Sequence, residues 1–259
     1  MWFAFFCQAL KHCFNRNNLV NWFMNRNILI AKRIVWHKMR DTSLTVATFK
    51  DDETLNISEL SEVLSPREQE HAITLVDPLE RRHYTARRCF QRLFVAGVLS
   101  SRISPENLAL IHQRDTRPYC AEAPDLNLSF SSSGSTAIAC ASAHHRIGID
   151  VERLRSVENV IALARRFFTH GEAETLANLP PSQQSRRFLH YWTAKEAGLK
   201  AIGKGIVFGL NTFIIRDKGP FTLEIQDPQT NSYDLELRYL DLIPEHLVAL
   251  VKMNRVGKV

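Results

Sequence analysis

The sequence predicts an α+β fold built from two similar, pseudo-symmetric halves, and three observations lead there. Strand-like segments with a period of two and long helical segments with one apolar face succeed each other along the chain. A stretch early in the chain, Thr136-Ala137-Ile138-Ala139-Cys140-Ala141, has a near copy late, in Glu245-His246-Leu247-Val248-Ala249-Leu250-Val251. That echo favours two α+β halves divided near Arg146 over one continuous sheet. The length of 259 residues agrees, being large for one domain and sufficient for two halves of about 100 residues each. The organisation read from the sequence is a leader over 1–40, an N-terminal half over 41–145 and a C-terminal half over 146–259.

The elements follow in order. Ser43 to Lys50 alternates as a strand and is closed by Asp51, Asp52 and Glu53. Ser65-Pro66-Arg67-Glu68 starts a helix, with Ser as the cap and Pro at the first helical position. Arg81 to Leu99 is a long helix, basic on one side, whose Tyr84, Phe90, Leu93 and Phe94 form the apolar face. Leu126 to Phe130 is a half-buried strand, Ser131-Ser132-Ser133-Gly134 a turn, and Ser135 to Ala143 the returning strand. Ile147 to Glu152 is a strand leaving the core, Thr169 and Glu172 have the spacing of a capping box, and Phe188 to Lys200 is helical.

Charge narrows the function classes. Of 33 basic residues, seven lie in 1–40, which holds no acidic residue, so 41–259 carries 26 basic against 27 acidic side chains. A near-neutral body gives no footing for nucleic-acid binding. The leader mixes aromatics with Asn and basic residues without a sustained period, and its apolar runs are far shorter than the roughly 18 residues of a membrane span. It reads as an upstream extension with Met39 as the natural start, with organelle import or an interfacial helix as the other readings. Five scattered cysteines without a C-x-x-C pair fit a reducing cytoplasm.

The chemistry concentrates in the second half. Residues two apart on a strand point to one side, so Asp150 and Glu152 converge. Such a pair is either a solvated strand end neutralised by Arg153 and Arg155, or half of a hard-oxygen site for Mg²⁺. Glu196 and Lys200, one turn apart on the helix, share a face. They form either an exposed ion pair, or a third ligand and a phosphate-directed cation, with Gly203-Lys204-Gly205 letting backbone approach a ligand.

Three blocks of the sequence resemble the 4′-phosphopantetheinyl transferases, specifically the larger Sfp-type enzymes. They are Gly148-Ile149-Asp150-Val151-Glu152, Phe167-Phe168 with Glu172, and Trp192-Thr193-Ala194-Lys195-Glu196-Ala197 with Lys200 and Gly203-Lys204-Gly205. Weaker resemblance runs through Leu64 to Glu68, Arg82 with Ala86-Arg87, Arg117-Pro118 and the Leu128 to Gly134 hairpin, and so covers nearly all of 41–259. The resemblance implies the 4′-phosphopantetheinyl transferase fold, with coenzyme A and Mg²⁺ in the cleft between the halves. It implies Asp150, Glu152 and Glu196 as magnesium ligands, Lys200 on the donor's diphosphate, Glu172 as a base, and Arg82, Arg87 and Arg117 on the nucleotide phosphates. Where the family often has His in its hairpin this chain has Ser132, so that Ser131 and Ser132 are the implied donor contacts, and either the donor is held more weakly, since a hydroxyl donates one hydrogen bond without charge, or Ser131 and Ser133 share the phosphate contact; Arg117-Pro118 stands where many members have Lys-Pro.

The activity implied is transfer of 4′-phosphopantetheine from coenzyme A to a serine of an acyl or peptidyl carrier protein, releasing 3′,5′-ADP. No nucleic acid or membrane partner is expected, and two internal halves make a monomer sufficient for the cleft. Another magnesium-dependent phosphotransferase or hydrolase, and a coenzyme A binding module without turnover, are the alternatives.

Overall fold

The computed structural model describes residues 33–52, 54–100, 103–112, 116–204, 209–217, 223–226 and 234–254. Gly205, expected beside a ligand, and most of the leader, 1–32, lie outside the described residues.

In the first half, strands β1 (Val35–His37), β2 (Thr45–Lys50), β5 (Asn127–Ser133) and β6 (Thr136–Ser142) make an antiparallel sheet in the order β1-β2-β6-β5. Between β2 and β5 run helices α1 (Ile57–Ser61), α2 (Pro66–Thr74) and α3 (Pro78–Leu99), then the short pair β3 (Leu110–Ile111) and β4 (Tyr119–Cys120). The serines placed in a turn by the sequence belong to β5 instead; the hairpin turns at Gly134, whose φ of 58° suits a residue without Cβ. Helix α3 starts at Pro78, three residues before the expected Arg81, because the Asp77 side chain accepts from the Leu79 N–H and caps it.

In the second half, β7 (Arg146–Arg153) is followed by α4 (Val160–Phe167), α5 (His170–Ala177) and α6 (Pro181–Ile202). The hairpin of β8 (Ile214–Asp217) and β9 (Leu223–Gln226) precedes β10 (Asp234–Leu240) and β11 (His246–Asn254), which join β7 in the order β10-β11-β7. The two strands whose sequences echo each other, β6 and β11, each lie inside their sheets, β6 between β2 and β5 and β11 between β7 and β10. Helices α3 and α6 correspond as well. Both have 22 residues, both open with Pro in the first turn, and both end on a left-handed residue, Ser100 and Gly203. Two halves therefore follow one plan, a long helix laid across an antiparallel sheet.

Each half has its own core. Phe90, Leu93 and Phe94 of α3 pack on Ala47, Phe49 and Ala139, and Leu199 and Ala201 of α6 pack with Leu235, Leu247 and Ala249. A third cluster is shared: Val46, Ile138 and Cys140 from the first sheet meet Ile147, Ile149 and Val248 from the second. The described end of the leader is part of this body. Ile34 is buried in the first core, Trp36 stacks on Phe94 at 5.4 Å, and the Trp36 ring lies where a Cβ on Gly97 would come within 2.8 Å of it. Averaging composition over 1–40 joined these residues to a stretch of a different character.

Candidate active site

The β7 strand divides its side chains by parity. Ile147, Ile149 and Val151 enter the shared core, and Gly148, Asp150 and Glu152 face the other way, toward α6. Gly148 sets how close that helix comes. A Cβ at this position would stand 1.9 Å from the Ala197 carbonyl oxygen and 2.5 Å from the Ala201 nitrogen, so only glycine allows the contact. The same approach carries Glu196 and Lys200 to the carboxylates of β7.

Asp150 is 5% exposed, and its Oδ1 accepts from Ser131 Oγ at 2.6 Å and Lys200 Nζ at 2.7 Å. Lys200 also donates to the Ile149 carbonyl at 3.3 Å. Glu152 Oε2 accepts from Arg155 at 2.9 Å and from Ser133 Oγ at 3.3 Å. Glu196 has no hydrogen-bond partner among the described residues. Burial, and then the negative charges of Asp150 and Glu152, push its carboxyl up to about 7 against the opposing pull of Lys200.

These three carboxylates are near enough to repel, and all are hard oxygen donors. Among the described residues, the second oxygen of Asp150 and of Glu152 accepts no hydrogen bond and both oxygens of Glu196 are open, which suits a divalent cation. Among the described residues no three His, Cys, Asp or Glu side chains stand in a ligating arrangement; Lys200 pairs with Asp150 and Arg155 with Glu152.

Above Glu196 opens a cleft of about 1020 Å³, lined from both halves: Arg87, Arg117, Ser131 and Ser132 on one side, Lys200 and Lys204 on the other. That volume is at the upper end for small-molecule sites, roughly 300–1,000 Å³. Arg87 Nη1 donates to Ser132 Oγ at 3.4 Å, and Arg117 bonds Asn127 at 3.0 Å and lies against Gly203, whose φ is 77°. Cations of both halves thus surround a space next to the carboxylates.

Two expected site residues stand elsewhere. Arg82 does not line the cleft; its guanidinium holds Asp51 at 2.7 and 3.1 Å and the Leu55 carbonyl at 3.2 Å, and so closes the chain after β2. Glu172 does cap α5 as its spacing predicts, but it is 5% exposed and both oxygens are engaged. Oε2 accepts from the Thr169 N–H, the Thr169 hydroxyl and Lys195 Nζ at 3.0, 2.8 and 2.7 Å, and Oε1 accepts from the Ile215 N–H at 3.0 Å. A carboxylate so occupied is a structural anchor in place of the expected base. Its partner was not singled out by the sequence. Lys195 is fully buried and spends its three donors on Glu172, Leu210 O and Phe213 O, pinning 210–215 to α6.

Comparison with known proteins points to one family. The model of the 4′-phosphopantetheinyl transferase superfamily matches residues 146–251, which contain Asp150, Glu152, Glu196 and Lys200. Over that stretch the chain is similar to that superfamily. Among similar proteins, a 4′-phosphopantetheinyl transferase HetI of Nostoc sp. is 33% identical over 159 residues, which are 60% of this chain and 66% of that protein. A 4′-phosphopantetheinyl transferase of Bacillus subtilis is 32% identical over 53% of this chain and 62% of its own length. The 4′-phosphopantetheinyl transferase Sfp of Bacillus subtilis is 26% identical over 66% of this chain and 80% of its own. For the first two, the matched stretch is just under two thirds of the relative's length. The Sfp-type resemblance and the α+β architecture of the superfamily hold for this chain. No described helix is long and apolar enough to cross a membrane.

Proposed function

We propose that the chain transfers 4′-phosphopantetheine from coenzyme A to a serine hydroxyl of an acyl or peptidyl carrier protein, releasing 3′,5′-ADP. The observation that carries this reading is the cleft lined by Arg87, Arg117, Lys200 and Lys204 directly beside the carboxylates of β7 and α6. Polyanionic donors need such cations, and cleaving a diphosphate as the serine oxygen takes up the pantetheine-bearing phosphorus needs charge compensation at the P–O bond that breaks. The named relatives, all phosphopantetheinyl transferases, support the same reaction.

Asp150, Glu152 and Glu196 would hold Mg²⁺, which when bound offsets the charge that builds on the diphosphate as the leaving group departs. Arg87 and Arg117 bind the nucleotide phosphates, with Ser132 adding a hydrogen bond but no charge. Lys200 exchanges its bond to Asp150 for a diphosphate oxygen. Of the acidic side chains, Glu196 lines the cleft without a partner of its own, and it accepts the serine proton directly or through water.

Incubation with coenzyme A, Mg²⁺ and an apo carrier protein should add the mass of phosphopantetheine to the carrier. Chelation, or Asp150→Ala or Glu196→Ala in the folded protein, should abolish the gain. Transfer retained in either variant would remove the carboxylates from the mechanism, and coenzyme A binding with no mass gain would make the chain a binding module.

A further inference from the structure

The carboxylates of β7 belong to the second half, yet the groups that orient them come from the first. Strand β5 carries a serine at every second position, so Ser129, Ser131 and Ser133 share one face, and that face meets β7. The strands β5 and β7 lie in different sheets with no backbone ladder between them. Serine hydroxyls supply the hydrogen bonds instead. Ser129 Oγ accepts from the Ile149 N–H at 2.9 Å, Ser131 Oγ donates to Asp150 at 2.6 Å, and Ser133 Oγ accepts from the Arg153 N–H at 3.1 Å.

Ser133 does two things at once. A hydroxyl has one proton and two lone pairs, so while it accepts from the Arg153 N–H it donates to Glu152 Oε2 at 3.3 Å. The amide fixes where the hydroxyl sits, and the hydroxyl shares one oxygen of Glu152 with Arg155, which bonds it at 2.9 Å from within the second half, leaving the other oxygen open. Ser131 and Ser132 line the cleft and Ser133 does not, so a phosphate-directed role, expected for it from the sequence, has no geometric support.

We infer that Ser133 is a positioning residue for the cation site, holding Glu152 from the opposite half so that its free oxygen meets the ion. The inference rests on the magnesium reading above. Groups that orient ligands in this way typically carry about 10- to 100-fold in metal affinity.

The test titrates the full chain with Mn²⁺ in place of Mg²⁺, without coenzyme A, and reads free Mn²⁺ by electron paramagnetic resonance. Ser133→Ala should weaken binding about tenfold, and Ser133→Thr, which keeps the hydroxyl on a strand-favouring side chain, should restore most of it. Ser133→Val matches threonine in shape without the hydroxyl and should bind as the alanine variant does, which keeps the comparison valid if alanine alone loosens the strand. Ser129→Ala, which removes an amide contact to β7 but no hydrogen bond to a carboxylate, should lower Tm and weaken Mn²⁺ binding less than Ser133→Ala does. Equal affinity in the Thr and Val variants overturns the inference, as does a rise in the KM for coenzyme A with Mn²⁺ affinity intact. If the wild-type chain binds Mn²⁺ and loses it in Asp150→Ala but not in the serine variants, the positioning role alone is wrong; if the wild-type chain binds none, the magnesium reading falls first.

Discussion

Lys195 and Glu196 are adjacent in sequence and do opposite work. One is buried with a carboxylate and two carbonyls around it, and the other lines the cleft. Because Glu172 answers the buried ammonium, Glu172→Gln should destabilise the fold by about 3–5 kcal/mol, the range for breaking a buried ion pair. Its folded fraction should keep a kcat near wild type; denaturant melts with activity measured on the same samples would show this, and a kcat collapse without destabilisation would restore Glu172 as the base. The arginines separate in the same manner. Arg87→Ala should raise the KM for coenzyme A severalfold, whereas Arg82→Ala should lower Tm and leave that KM unchanged. Glu68 adds a pH dependence. Burial alone would raise its pKa, but the hydrogen bond from Arg92 and the charges of Arg88 and Arg92 hold it below the ordinary 4.5. A carboxylate depressed in the folded state gives stability that is present above the unfolded pKa and is lost as pH falls through the folded one. Glu68→Gln should therefore flatten the loss of stability seen in melts between neutral pH and pH 3.

At the scale of elements, Gly148 is the point on which α6 rests. Gly148→Ala places a methyl inside the Ala197 and Ala201 backbone, and overpacking of that kind costs about 1–3 kcal/mol when the structure can shift. The shift available is α6 moving off β7, so transfer activity should fall by a larger factor than stability predicts, with KM for Mg²⁺ rising. What could be read from the sequence here followed distance along the chain. The D-x-E strand, the capping box of Thr169 and Glu172, and the echo between β6 and β11 are local patterns, and periodicity exposes them. The partners that redefine Arg82 and Glu172 lie 31 and 23 residues away, at Asp51 and Lys195. No spacing rule joins them, and a carboxylate engaged by a buried lysine has the same sequence as one poised for catalysis. The serines of β5 were legible as polar residues near a glycine, which is the composition of a turn. Their ladder with β6 made them a strand instead.

The whole molecule places its chemistry where its two halves meet. Neither core contains the site; the shared cluster of Val46, Ile138, Ile149 and Val248 and the serine contacts of β5 to β7 hold the walls of the cleft in register. The joining cluster has fewer residues than either core, and cooperative units of different size open with different free energies. In rising urea the transfer activity should fade before helical circular dichroism does; coincident loss would show a single cooperative unit. The join between halves thus acts as a gauge as well as a scaffold, because a displacement of a few tenths of an ångström, too small to expose either core, already separates the hydroxyls of one sheet from the carboxylates of the other.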